Sequence, residues 1–296
     1  MTTVRALAPA KLNLGLEVIG KRADGYHDIA TVMQTVSLFD RLTATPGSEI
    51  AVHVSDPSLA GEDNLVLAAA RLLRSSVGQA GGASIELKKR IPTAAGLGGA
   101  SSDAAATLVS LSQLWDARMP PDKLLDLASR LGSDVPFLVE GGTALVEGRG
   151  ETLTPLRPLA GAWFVLVVPA VSIPRKTPTL YGALTPDDFT SGDRVRRLAT
   201  AIEAGGELDP ELLANAFRRP LLALRPELGE IERVFADAGA PVVALSGAGP
   251  TLYTAVREIA QARRLAGRLH ASLPSDARVV VCRPVSQAPQ IRIGDG

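Results

Sequence analysis

The sequence predicts an α+β protein of two domains with a ligand cleft between them. Three observations carry this. Strand-like alternation over the first forty residues is followed by a strand, glycine-rich loop and helix between Ala83 and Trp115. A composition break falls at Pro155, Pro158 and Gly161. Beyond it, strands and helices alternate in a mixed order suited to a layered sheet with helices on one face. At 296 residues the chain can hold two ordinary domains, expected at 1–157 and 158–285, with a frayed polar tail at 286–296.

The elements follow from local pattern. Ile50–Val54 alternates as a strand, and a helix is expected over 64–76, capped by Asp63 or Asn64. Ala83–Ile91 reads as a strand running into the glycine-rich loop. Ala104, Leu108, Leu111 and Trp115 then recur at helical spacing, with Ser101, Ser102 and Asp103 as N-cap residues. Pro121–Leu131 makes the next helix, and short strands are expected near Thr143–Glu147. In the second half, Trp163–Val168 is a continuous apolar run, read as a buried central strand. Helices are expected at 194–203, 227–238 and 258–272, and strands at 242–245, 252–256 and 278–282.

Composition narrows the function classes. Hydrophobic residues make up 46% and charged residues 21%, the balance of a soluble globular protein. The formal net charge is zero with Lys and Arg dispersed, which argues against nucleic acid and for a small-molecule partner. The single Cys282, within the apolar run Val279–Val281, excludes an intrachain disulfide and fits a reducing cytoplasm. One cysteine and three scattered histidines disfavour structural zinc. Arg5, Lys11 and Asn13 interrupt any signal-like start, and the longest uncharged run, Leu159–Pro174, is too short to span a bilayer.

Four segments could carry chemistry. Pro92–Ala106 puts Gly96, Gly98 and Gly99 before a helix start, where free N–H groups and the positive end of the dipole suit a phosphate. It matches neither the dinucleotide fingerprint nor a P-loop, and a flexible loop before a capped helix is the plain alternative. In Ala8–Glu17, period-two alternation sets Lys11, Asn13 and Glu17 opposite Leu12, Leu14 and Leu16; this is either a solvated strand face or a clamp for a phosphate or reacting hydroxyl. Arg22–His27 contains the turn signal Asp24-Gly25 followed by Tyr26 and His27, a hairpin tip that could also stack on a planar ligand. Gly132–Phe137 places Asp134 between a helix end and an apolar strand-like run, as a turn carboxylate or a general base. A second glycine-rich loop, Ser246–Thr251, could face the same anion across the cleft.

Together these segments resemble the GHMP kinase superfamily, named for galactokinase, homoserine kinase, mevalonate kinase and phosphomevalonate kinase. Pro92–Ala105 fits its ATP loop, Pro-x-x-x-Gly-Leu-Gly-(Ser/Gly)-x-Ser-x-x-Ala. The segments Ala8–Leu14, Arg22–His27, Gly96–Ala105 and Gly132–Phe137 are most similar to the branch acting on a cytidine-diphosphate-linked methylerythritol, in the non-mevalonate route to isoprenoid precursors. The resemblance implies an N-terminal domain like ribosomal protein S5 domain 2 and a ferredoxin-like C-terminal domain. It implies transfer of the ATP γ-phosphoryl group, with Mg²⁺, to the 2-hydroxyl of that substrate. Lys11 and Asp134 would be the catalytic pair. Pro92, Gly96, Leu97, Gly98, Gly99, Ala100, Ser101 and Ser102 would wrap ATP. Asn13, Tyr26, His27 and Tyr181 would hold the cytidine diphosphate, and Ser246, Gly247 and Gly249 would close over the phosphates. A cytoplasmic monomer or weak homodimer is expected, with metal ligands unassigned.

Two positions depart from the pattern. Ala100 is often glycine and requires a negative φ; Asp103 is often asparagine and would repel phosphates unless turned away or close to the metal. Other readings are a GHMP kinase for mevalonate or homoserine, for which an aromatic base-binding pair has no obvious role, and a catalytically silent nucleotide-binding protein, which intact Lys11 and Asp134 disfavour.

Overall fold

In the computed structural model, which describes residues 2–206, 208–286 and 289–295, the alternating start of the chain forms a hairpin of two long strands, β1 (Thr2–Lys21) and β2 (His27–Gly47). Its tip is the Asp24-Gly25 turn, where Gly25 takes φ 86°. There follow β3 (Ile50–Val54), α1 (Leu65–Val77), β4 (Gly82–Lys88), α2 (Gly99–Leu114), α3 (Pro121–Leu131), α4 (Val135–Glu140), β5 (Thr143–Gly148) and β6 (Thr152–Pro155). Asn64 caps α1, its side-chain oxygen accepting from the Val66 N–H at 2.8 Å. Beyond the composition break come β7 (Trp163–Val168), α5 (Lys176–Gly182), α6 (Asp193–Glu203), α7 (Arg218–Leu224), α8 (Glu227–Asp237), β8 (Ala244–Leu245), β9 (Leu252–Val256), α9 (Ile259–Ser272), β10 (Arg278–Cys282) and β11 (Gln290–Asp295).

Among the described residues the strands form two sheets. The first runs β11-β1-β2-β4-β3, with β5 and β6 continuing from the other half of β2. The second is antiparallel, in the order β10-β7-β9-β8. Residues of α1 to α4 close one face of the first sheet around Leu42, Ile85, Leu108 and Phe137. Its other face meets α6 and the second sheet in a shared core that includes Leu12, Leu14, Val32, Phe164, Leu166 and Tyr253. The second sheet's far face packs on α7, α8 and α9. β7 is thus buried on both faces, with Phe164 and Leu166 in one core and Val165 and Val167 in the other. That explains its unbroken apolar sequence.

Several expectations are corrected. Val135–Glu140 is a short helix rather than strand-like, because Pro136 fits a first helical turn and the small run can bury Val135, Phe137 and Leu138 against α2. The tail expected to fray instead contributes β11, whose residues 290–295 pair antiparallel with residues 2–7 of β1; positions 287, 288 and 296 lie outside the described residues. Only Ala244–Leu245 of the expected 242–245 strand is paired. The alternation of β1 also breaks. A bulge at Leu14, between the pairs Asn13–Met33 and Gly15–Val32, flips the faces from there to the next register shift after Val18. Leu16 therefore joins the side of Lys11 and Asn13, and Glu17 leaves it. Glu17 instead accepts the Val195 N–H at 2.8 Å and caps the first turn of α6.

Candidate active site

The first glycine-rich loop is held from both sides. The Lys11 N–H of β1 donates to the Leu97 carbonyl at 2.9 Å, and the Thr251 N–H donates to the Ala95 carbonyl at 3.2 Å. Gly96 (φ 82°) and Gly98 (φ 69°) are required here: a Cβ on Gly96 would lie 2.3 Å from the Ser246 carbonyl oxygen, and one on Gly98 would lie 2.8 Å from Lys11 Cγ. Helix α2 starts at Gly99 with Gly98 as its N-cap and no side-chain cap, so Ser101, Ser102 and Asp103 lie inside the first turns rather than at the cap. Ala100 thereby has the helical, negative φ it needs.

The three polar residues of that turn divide their work. Ser101 lines a cavity of about 880 Å³ with Pro92, Gly96, Leu97, Gly98, Gly99 and Ala100. Ser102 is buried and its hydroxyl donates to the Pro9 carbonyl at 2.7 Å, so it ties α2 to β1. Asp103 is turned away from the loop into an ion cluster. Lys89 Nζ lies 2.5 Å from Oδ2 of both Asp103 and Asp40, and Asp40 accepts the backbone N–H groups of Arg90 and Ile91. Burial, only partly offset by Lys89, pushes the Asp103 carboxyl up to about 8, with the neighbouring Asp40 charge adding to the rise. No local pattern marks Lys89 and Asp40, which come together only through the sheet.

Lys11 and Asp134 meet beside the loop, Nζ to Oδ2 at 3.3 Å. Asp134 is the N-terminal flank of α4 but caps nothing, leaving its carboxylate to the cleft while the buried Val135, Phe137 and Leu138 fix its backbone. Lys11 is buried, against the alternative of a solvated strand face, and also donates to Asn13 Oδ1 at 2.6 Å. The Asn13 amide nitrogen donates to the Thr31 hydroxyl at 2.9 Å, which donates to the Gly15 carbonyl at 2.6 Å. Asn13 thus lines the cleft while its amide is engaged in aiming Lys11.

A second cavity of about 840 Å³ adjoins this pair. It is lined by Lys11, Asn13, Tyr26, His27, Asp134 and Tyr181, with Gly247 at its edge, and it shares Thr177 and Pro178 with the first cavity. His27 stacks on Tyr181 with centroids 4.7 Å apart and an interplanar angle of 29°, and Phe217 meets the Tyr181 ring edge-on at 4.8 Å. Burial holds the His27 imidazole below its usual pKa, assisted by Lys21, so its neutral form is favoured. Burial, with Asp134 nearby, lifts the Tyr181 phenol to about 12. Tyr26 stands apart: it is 57% exposed, with the Arg149 guanidinium 4.1 Å above its ring. Arg149, Phe189 and Phe217 also line this cavity, and no local motif marked them.

The second glycine-rich loop braces the first. The Ser246 hydroxyl, fully buried, donates to the Gly96 carbonyl at 2.9 Å, so it holds the first loop rather than facing the cleft. A Cβ on Gly247 would sit 3.1 Å from Asn13 Oδ1 and 3.4 Å from Lys11 Nζ, which puts that backbone directly against Lys11 and Asn13. Gly249 packs on Leu221 and Leu245, and its carbonyl accepts from Lys176.

The sequence and the architecture correspond to known proteins. Residues 64–142 match the family model described as GHMP kinases N terminal domain. A 4-diphosphocytidyl-2-C-methyl-D-erythritol kinase of Dehalococcoides mccartyi is 44% identical over 253 residues, 85% of this chain and 89% of that one. A crystal structure of 4-(cytidine 5'-diphospho)-2C-methyl-D-erythritol kinase superposes with a TM-score of 0.79 at 38% identity, covering 94% of this chain and 98% of that one. The homoserine kinase of Cytophaga hutchinsonii, at 18% identity, shares the fold with a TM-score of 0.80 over 98% of this chain and 97% of that one. The chain belongs to the 4-diphosphocytidyl-2-C-methyl-D-erythritol kinase family, a branch of the GHMP kinases.

Proposed function

We propose that this protein transfers the γ-phosphoryl group of ATP to the 2-hydroxyl of 4-diphosphocytidyl-2-C-methyl-D-erythritol, the compound for which its relatives are named as kinases. The observation that carries the reading is the Lys11–Asp134 pair at 3.3 Å, in an aromatic-lined cavity that shares a wall with the glycine-loop cavity. ATP would occupy the first, its phosphates meeting the N–H groups of Gly98 to Ser101 at the start of α2. The cytidine base would pair with the His27 and Tyr181 rings, bringing the sugar-like end toward Asp134. Asp134 would accept the hydroxyl proton as the oxygen attacks, while Lys11 orients that carboxylate and offsets charge on the transferred group.

Mg²⁺ is the expected companion of the nucleotide. The described residues contain no cluster of three metal-ligating side chains, which suits an ion carried mainly by phosphate oxygens and water, with Ser101 and Asp134 as the protein oxygens at the phosphate end of the cleft. Bound there, it would neutralise charge on the β- and γ-phosphates. No described helix is long and apolar enough to cross a membrane, and the reading is of a cytoplasmic enzyme acting as a monomer or weak homodimer.

The test is ADP release with the cytidine-diphosphate substrate, mevalonate and homoserine offered side by side. Turnover is expected with the cytidine compound alone. Equal turnover with the small acids, or none with the cytidine compound, overturns the reading.

A further inference from the structure

Between the two cavities lies a cation that the catalytic pair does not use. Lys176, the first residue of α5, lines the nucleotide cavity, and the next two residues, Thr177 and Pro178, form the wall shared with the acceptor cavity. Its ammonium donates to the Ala94 carbonyl at 2.6 Å and to the Gly249 carbonyl, so it ties the two glycine-rich loops together from a third segment. Among the described residues no carboxylate pairs with it. The backbone at both ends of the Lys176–Ala94 contact is strained: Arg175 takes φ 46° and Ala94 φ 53°, values unusual for non-glycine residues. A partly buried ammonium held only by neutral carbonyls, in a strained setting beside a phosphate-type loop, lacks a counter-charge.

We propose that Lys176 is a nucleotide-binding residue whose ammonium engages the β- and γ-phosphates of ATP while keeping the two glycine-rich loops in register. The phosphates supply the missing negative charge, and the carbonyls of Ala94 and Gly249 aim the side chain at them. Three donors on one ammonium allow both tasks. The inference rests on ATP being the phosphoryl donor and is independent of which acceptor is used.

The electrostatic surroundings give the proposal a signature. Burial lowers the Lys176 pKa to about 8, with Lys11 on β1 adding repulsion. The other charged groups around the nucleotide cavity are Arg175 beside it, Asp103 in α2 with Lys89 paired to it, and Asp63 ahead of α1. Because the free protein loses this charge as pH rises through about 8, ATP affinity falls above that point. Asp103 titrates in the same range, so the Lys176 variants are what assign the effect.

The experiment is calorimetric binding of ATP and adenosine to wild type, Lys176→Met and Lys176→Arg, across pH 7 to 9 and with no acceptor present. Lys176→Met is expected to weaken ATP about tenfold, the scale of a charge-assisted contact, and to leave adenosine affinity unchanged. Its ATP affinity loses the decline above about pH 8, whereas Lys176→Arg keeps tight binding and shows no decline in that range. ATP affinity within about twofold of wild type in Lys176→Met, an equal loss for adenosine, or an unchanged pH decline overturns the proposal. Failure of the cytidine-substrate assay would leave this result standing, and failure here would leave that assay untouched.

Discussion

Asp134 and Lys11 carry opposite charges at 3.3 Å, but only the carboxylate can take a proton from a hydroxyl at neutral pH. Asp134→Asn keeps the shape and removes that capacity. Its kcat is expected to fall about 10²- to 10⁴-fold with ATP affinity nearly unchanged, as read by single-turnover kinetics and calorimetry; turnover within a few-fold of wild type removes Asp134 from the base role. Tyr181 tests the other cavity. Losing the ring that stacks on His27 should raise the KM for the cytidine substrate roughly tenfold in Tyr181→Ala and leave the KM for ATP alone. An equal rise in both constants would mean the ring supports the cleft as a whole. Placement of this kind was readable in the sequence where side-chain type and local motif coincide, as at Lys11, Asp134 and His27, which the fold brings to one cavity. Ser102 and Ser246 looked the same as Ser101 in sequence, yet their hydroxyls are buried on the carbonyls of Pro9 and Gly96. Nothing local distinguishes a serine that faces a ligand from one that fastens two segments.

At the scale of elements, the glycine-rich loop is defined by what crowds it. Gly96→Ala would place a methyl 2.3 Å from the Ser246 carbonyl oxygen at φ 82°, whereas Gly25→Ala at φ 86° meets nothing within 4 Å. Both carry the left-handed penalty of roughly 1 kcal/mol, but only the first must also displace the second loop. Urea unfolding is expected to show the larger loss for Gly96→Ala, accompanied by weakened ATP binding; equal losses would mean the loops part without cost. The loop-helix unit, the apolar β7 and the α1 cap were legible because each depends on neighbours in sequence. The bulge at Leu14 was not. One extra residue reverses the side chains of β1 as far as Val18, where a second register shift follows, and it answers to pairing with β2 rather than to any pattern in β1 itself. α4 was missed for a related reason: six residues are too few to show a helical period, and an apolar run of that length reads equally as a strand.

Across the whole molecule, the Asp40–Lys89–Asp103 cluster joins β2, the segment leaving β4, and α2, and it makes stability depend on pH. Burial, only partly offset by Lys89, pushes the folded-state Asp103 carboxyl from its ordinary 3.8 up to about 8. Between those values the folded state binds the extra proton, so this group's contribution declines as pH rises through that window. Asp103→Asn cannot titrate. Urea midpoints measured at about pH 5 and about pH 8 should therefore drop less in the variant than in wild type; parallel drops would assign the dependence elsewhere. The two cavities that share the Thr177–Pro178 wall have a consequence for kinetics. Donor and acceptor can reside together on either side of Lys11 and Asp134, with no need for the protein to carry the phosphoryl group between visits. Initial-rate plots against one substrate at several levels of the other should then give intersecting lines, and phosphorus stereochemistry should invert once. Parallel lines, the mark of a covalent phospho-enzyme, would mean that the two cavities are occupied in turn.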